Sequence, residues 1–70
     1  MSVDEWIEQQ PGKQIYLTAE KLGLTPAAFH EAMDVIDASE GGVGYHLVET
    51  KRESQTGFPR IVMVVVRKVI

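Results

Sequence analysis

An unbroken run of six apolar residues, Ile61–Val66, is the feature that most limits how this chain can fold. Successive side chains of a strand point to opposite faces, so both faces of this strand are apolar. The expected faces are Ile61, Met63 and Val65 on one side, and Val62, Val64 and Val66 on the other. Such a strand is normally buried on both sides. The run is too short to span a membrane as a helix, which takes about 20 residues.

The length of the chain limits how this strand can be covered. Its 70 residues form one domain, and a domain of this size buries about 60% of its surface. One layer of helices then covers one face of the strand. We expect a second copy or another protein to cover the other face. The expected contacts are Val62, Met63, Val64 and Val66; the alternative is cover by an N-terminal helix that carries Trp6.

Capping and turn residues divide the rest of the chain into short elements. Thr18 and Thr25 are expected to cap two helices, because their hydroxyls accept from amides of the first turn. Gly23 and the pair Gly41–Gly42 are expected to end those helices. The predicted order is a helix over 2–10, a strand over 13–17, helices over 19–22 and 26–39, a strand over 43–48, a loop over 51–59 and a strand over 60–69.

Residues 18–33 resemble a helix-turn-helix motif. Ala19 is the small residue that lets two helices approach, Gly23 permits the turn, and Phe29 is the large apolar residue that packs back. With a strand before this segment and a basic hairpin after it, the order of elements is similar to that of the winged-helix superfamily. The resemblance implies one α+β winged-helix domain over residues 1–70, with the helix-turn-helix at about 18–39 and the wing hairpin at about 43–69.

The resemblance also implies a small DNA-binding protein, such as a bacterial or phage transcriptional regulator. The helix after the turn is then expected to read base edges, while bases of the wing contact phosphates. The implied wing contacts are Lys51, Arg52, Gln55, Thr56 and Arg60, and those of the third helix are Thr25, Ala27, His30 and Glu31.

The distribution of charge favours an alternative function. The net charge is −3, but residues 1–50 carry nine acids and two bases, and residues 51–70 carry five bases and one acid. The third helix has no Arg, Lys, Asn or Gln, the residues that best read bases, and phosphates would repel its Glu31 and Asp34. The alternative is a protein-interaction module on the same scaffold, which uses the acidic third helix or the apolar last strand.

The sequence contains no pattern typical of catalysis or metal binding. There is no cysteine, and His30 and His46 are the only histidines, whereas a zinc site takes three or four protein ligands. No serine has an obvious base partner. We therefore expect no enzyme activity, cofactor or metal. Because the N-terminus does not resemble a secretory signal, we expect a cytoplasmic protein whose partners are double-stranded DNA and a second copy or another protein, with no membrane contact.

Overall fold

The computed structural model describes residues 3–55 and 58–69, without the side chains of Gln55 and Phe58. This part of the chain contains three helices, α1 (Val3–Gln9), α2 (Ala19–Leu22) and α3 (Pro26–Ser39). Its strands are β1 (Gln14–Leu17), β2 (Gly41–Gly42), β3 (Tyr45–Gln55) and β4 (Phe58–Lys68). They form one antiparallel sheet in the order β1-β4-β3-β2. The predicted α+β class is confirmed.

Threonine caps begin the two middle helices, as the sequence predicts. The Thr18 hydroxyl accepts a hydrogen bond from the amide of Lys21 at 3.2 Å, and the Thr25 hydroxyl accepts one from the amide of Ala28 at 3.1 Å. Each bond satisfies a first-turn amide that has no partner within its helix. Gly23 ends α2 at a φ of 67°, a left-handed conformation that glycine adopts without steric cost.

The core lies between the helices and one face of the sheet. Phe29, Met33 and Ile36 form the buried side of α3, at the helical spacing that the sequence predicts. Ile7 of α1 is also buried there, and Trp6 packs against the same cluster. The sheet contributes Ile15, Leu17, Tyr45, Ile61, Val64 and Val66. Trp6 therefore lies on the side of the sheet that the helices already cover.

The hairpin of β3 and β4 is longer than the sequence predicts. The expected loop over 51–59 is wrong, because β3 continues to Gln55 and β4 begins at Phe58. Cross-strand pairs extend along this segment, including Glu53 opposite Arg60. The expected strand start at Val43 is also wrong, since that residue lies in the turn between β2 and β3.

A bulge at Val62 changes which residues of β4 face the helices. Lys51 pairs with Met63 and Arg52 pairs with Ile61, so Val62 has no partner on β3. One extra residue resets the alternation of side chains along a strand. The core residues of β4 are consequently Ile61, Val64 and Val66. The predicted face is therefore wrong for Ile61, which lies on the same side as Val64.

The apolar strand is buried within the single chain. Val64 and Val66 are both 0% exposed in the core, so their predicted role as partner contacts is wrong. Val65 faces away from the helices and is still only 2% exposed. Its cross-strand neighbours are Tyr16 and Glu49, whose longer side chains flank it. This face therefore needs no second molecule to bury Val65. The predicted partner contacts of Val62 and Met63, which are half-buried, stay predictions.

Candidate functional site: the β3–β4 hairpin

A hydrogen bond to a histidine of α3 links β4 to this helix. The amide of Ile61 donates a hydrogen bond to Nδ1 of His30 at 3.0 Å. Because Nδ1 accepts, the neutral imidazole carries its proton on Nε2. The bond satisfies a strand amide that β1 does not reach, since β1 pairs with β4 only over residues 64–67. The half-buried ring of His30 therefore supports the sheet, and its predicted base contact stays a prediction.

Hydrogen bonds from two side chains of β3 to a carboxylate of α3 link this strand to the same helix. The Thr50 hydroxyl donates to Oδ1 of Asp37 at 2.9 Å, and Nη2 of Arg52 donates to Oδ2 at 2.9 Å. His30 and Asp37 are seven residues apart, about two helical turns, and so lie on one side of α3. Together they hold both strands of the hairpin at a fixed position against the helix. Arg52 is thus paired with Asp37, and its predicted contact with DNA stays a prediction.

The hydrogen bonds at Asp37 also change its acidity. The bond from Arg52, and then the bond from Thr50, hold the pKa of the Asp37 carboxyl below its ordinary value of 3.8. Because the pKa is lower in the folded chain, the bonds stabilise the fold fully above the unfolded value. This contribution is lost as the pH falls through the folded value.

We expect Arg52→Met to raise the pKa of Asp37 towards its ordinary value, since the substitution removes the charge and the hydrogen bond together. The measurement is an NMR titration of the Asp37 carboxyl carbon in both proteins. Arg60→Met is the matched control, because Arg60 lies opposite Glu53 and has no bond to Asp37. Equal midpoints in the wild type and Arg52→Met would contradict the ion pair.

The remaining predicted contacts of α3 are poorly suited to base reading. The Thr25 hydroxyl caps the helix, Ala27 has no polar side-chain atom, and Glu31 is an exposed acid. Asp34 and Val35 are exposed on the same helix, with Val35 exposed by 69%. The exposed surface of α3 is therefore acidic and apolar.

Two basic residues of the hairpin lie on the face remote from Asp37 and are the stronger candidates for phosphate contacts. Lys51 is exposed and pairs with Met63, on the sheet face remote from the helices. Arg60 is half-buried and, like Lys51, belongs to this remote face, where it lies opposite Glu53. The side chain of Gln55 and all of Thr56, both predicted contacts, lie outside the described residues.

The fold separates the two signs of charge. The three helices carry seven acids and one base, whereas β3 and β4 carry five bases and two acids. Phosphates are attracted to the strands and repelled by the helices. The separation in sequence thus becomes a separation between elements of the structure.

A cleft between α1 and the β2–β3 turn is a further feature that the sequence did not indicate. It has a volume of about 470 Å³, and the phenol of Tyr45 donates to Oδ1 of Asp4 at 2.6 Å beside it. Burial, and then the nearby Asp4, raise the pKa of Tyr45. The phenol therefore stays protonated and provides no nucleophile. At the C-terminal end of α1, Nζ of Lys68 donates to the backbone carbonyls of Glu8 and Gln10. The sequence signal that could have indicated the contact with Asp4 is Tyr45 itself, because a tyrosine on the buried face of a strand usually has a hydrogen-bond partner for its hydroxyl.

Comparison with protein-family models, curated proteins and solved structures finds no match for this chain. Residues 3–55 and 58–69 contain no group of three or more side chains arranged to hold a metal ion. None of the described helices is long and apolar enough to cross a membrane.

Proposed function

We propose that this chain is a winged-helix module that binds duplex DNA through the β3–β4 hairpin, in the manner of a small transcriptional regulator. The order of the elements supports the winged-helix assignment. A short strand, β1, precedes the helix pair α2–α3 and pairs with the last strand, β4. The long hairpin follows the helix pair and occupies the position of a wing.

The observation that best supports the proposal is that a basic hairpin is held by hydrogen bonds against an acidic layer of helices. Lys51 and Arg60 lie on the strands, and His30 and Asp37 hold those strands to α3. A cation at a fixed position loses less conformational freedom on binding than one on a mobile loop. Each phosphate that it neutralises releases counterions, which favours binding at low salt.

The contacts define the kind of binding to expect. Phosphate contacts position a protein on DNA but carry no sequence information directly. In the proposed mode the acidic surface of α3, with Glu31 and Asp34, points away from the phosphates. We therefore expect binding that depends steeply on salt and weakly on sequence.

Charge reversal on the hairpin tests the proposal. Lys51→Glu and Arg60→Glu are each expected to weaken binding to a random duplex about tenfold at low salt. Each is also expected to reduce the slope of log affinity against log salt by about one. The measurement is a fluorescence anisotropy titration of labelled duplex at several salt concentrations.

Lys13→Glu is the matched control, because it makes the same charge change in the exposed segment before β1. The Lys13 carbonyl accepts from the amide of Lys68, at the end of β4 far from Arg60. It is expected to leave the affinity almost unchanged. Binding that is undetectable at about 50 mM salt and 100 μM protein overturns the proposal, since non-specific DNA binders have dissociation constants of about 1–100 μM at physiological salt. Equal losses in all three variants would show that only net charge matters.

A second candidate is a protein-interaction module that uses α3. The observation that favours it is Val35, a large apolar side chain exposed by 69% beside the acids Glu31 and Asp34. A basic partner with an apolar contact point matches this surface. The duplex titration separates the two candidates, because only the hairpin mode predicts a salt-dependent DNA complex that Lys51→Glu weakens.

A further inference from the structure

The two edges of the hairpin extend beyond their neighbouring strands. β1 pairs with β4 only over residues 64–67, and β2 pairs with β3 only at Tyr45 and His46. Past those positions, neither hairpin strand has an outer strand neighbour within the described part of the chain. Backbone amides and carbonyls at such an edge are a template for another strand.

The outer edge of β4 is closed to further pairing. The amide of Ile61 points to this edge, where it donates to Nδ1 of His30 at 3.0 Å. Residues two apart in a strand direct their backbone groups to the same edge. Pro59 therefore occupies the preceding outward position, and proline has no amide hydrogen. Neither position offers a donor to an incoming strand.

The outer edge of β3 is open. Opposite residues of an antiparallel pair exchange both hydrogen bonds or neither. Ile61 lies opposite Arg52 and donates to His30 instead, so the backbone groups of Arg52 also point outward. By alternation, those of Thr50 and Ser54 point the same way. Among the described residues, no backbone hydrogen bond to a loop or cap uses these three amides.

The side chains of β3 select one register for a second β3 strand. Antiparallel pairing centred on Arg52 places Thr50 opposite Ser54 of the second copy and Lys51 opposite its Glu53. Opposite charges stabilise such cross-strand pairs, and like charges destabilise them. Pairing centred on Lys51 would oppose Lys51 to itself and Glu49 to Glu53. Pairing centred on Thr50 would bring the second strand onto His46, which β2 occupies.

The register centred on Arg52 brings two guanidinium groups together, and each already has its own counterion. Arg52 and Asp37 are joined at 2.9 Å. The second copy therefore meets a neutral pair on the helix side of the edge. On the remote face, Lys51 of each copy lies opposite Glu53 of the other, so the dimer contains two cross-strand pairs of opposite charge.

We propose that two copies of this chain associate through the outer edge of β3, from Thr50 to Ser54, in an antiparallel pairing centred on Arg52. The two hairpins then form one four-stranded ribbon about a two-fold axis. The remote faces of both copies lie on the same side of this ribbon, so Lys51 and Arg60 occur twice on one surface. The dimer does not depend on nucleic acid and does not use the core residues of β4.

Sedimentation equilibrium without nucleic acid tests this arrangement. The wild type is expected at twice the 7.8 kDa mass of one chain. Lys51→Glu opposes two carboxylates twice in the dimer, and we expect it to raise the dimer dissociation constant about tenfold. The exchange Lys51→Glu with Glu53→Lys restores the opposite charges and is expected to restore the dimer.

Ser54→Pro tests the backbone directly, because it removes an outward amide that β4 does not use. It is expected to weaken the dimer, whereas Lys13→Glu, away from the edge, is expected to leave it intact. Circular dichroism confirms that each variant is folded. A 7.8 kDa monomer at all concentrations up to about 1 mM, a weak limit for specific association, overturns the proposal. A dimer that Lys51→Glu and Ser54→Pro leave unchanged also overturns it.

Discussion

Replacing Phe29 with alanine is expected to lower the free energy of unfolding by about 3–5 kcal/mol. Phe29 is 1% exposed and lies with Met33 and Ile36 on the buried side of α3. At about 0.05–0.15 kcal/mol per residue, a chain of this length has a total stability of about 3.5–10 kcal/mol. The loss is therefore a large part of the whole. Urea unfolding at 25 °C, followed by circular dichroism, measures it.

Val35→Ala is the matched control on the same helix. Val35 is 69% exposed, and substitution of an exposed side chain usually changes stability by less than about 0.5 kcal/mol. The pair of variants compares the two sides of α3 directly. A Phe29→Ala loss as small as the loss in Val35→Ala would contradict the described core.

The helices are predictable from the sequence because their determinants are local. The caps at Thr18 and Thr25 and the turn at Gly23 each depend on residues within one helical turn. The buried side of α3 follows from spacing alone, since Phe29 and Met33 recur at the helical period. Tertiary contacts add to these signals without changing them.

The hairpin is less predictable because its determinants are not local. The side chains of residues 51–54 are exposed and polar, so this segment shows no alternation of apolar and polar residues that would indicate a strand. Their cross-strand pairs with β4 stabilise them. The bulge at Val62 cannot be recognised in the sequence, because all six residues of the run are apolar. This bulge is the reason that Ile61 is buried on the same side as Val64. Alternation alone therefore placed Ile61 on the wrong face of β4.

The candidate site was predicted only in part. The basic character of the segment that contains Lys51 and Arg60 is evident from the sequence, because nine of the ten acids lie in residues 1–50. In the sequence, His30 and Asp37 have the character of ordinary polar residues of a helix, and nothing there indicates that they bond to the hairpin. Their spacing of seven residues is the available signal, but it becomes informative only when the side of α3 that meets the hairpin is known.

Gly41→Ala is expected to cost about 3 kcal/mol, the upper end for a strained backbone position, and to loosen β2 from β3. Gly41 is buried at a φ of 140°, and an added Cβ would lie 2.7 Å from the carbonyl oxygen of Tyr45. That oxygen belongs to a paired strand, so it moves only if the pairing of Gly41 with His46 gives way. Urea unfolding measures the cost.

Gly23→Ala separates the effect of this contact from the effect of a positive φ. Gly23 has a φ of 67°, but an added Cβ there would meet no atom within 4 Å. Its expected cost is the left-handed penalty alone, about 1 kcal/mol. Hydrogen exchange at the Leu47 amide, which donates to the Glu40 carbonyl at 3.1 Å, should accelerate in Gly41→Ala and not in Gly23→Ala. Equal costs and equal exchange in the two variants would mean that β2 is not held against β3, because the close contact at Gly41 exists only while the two strands are paired.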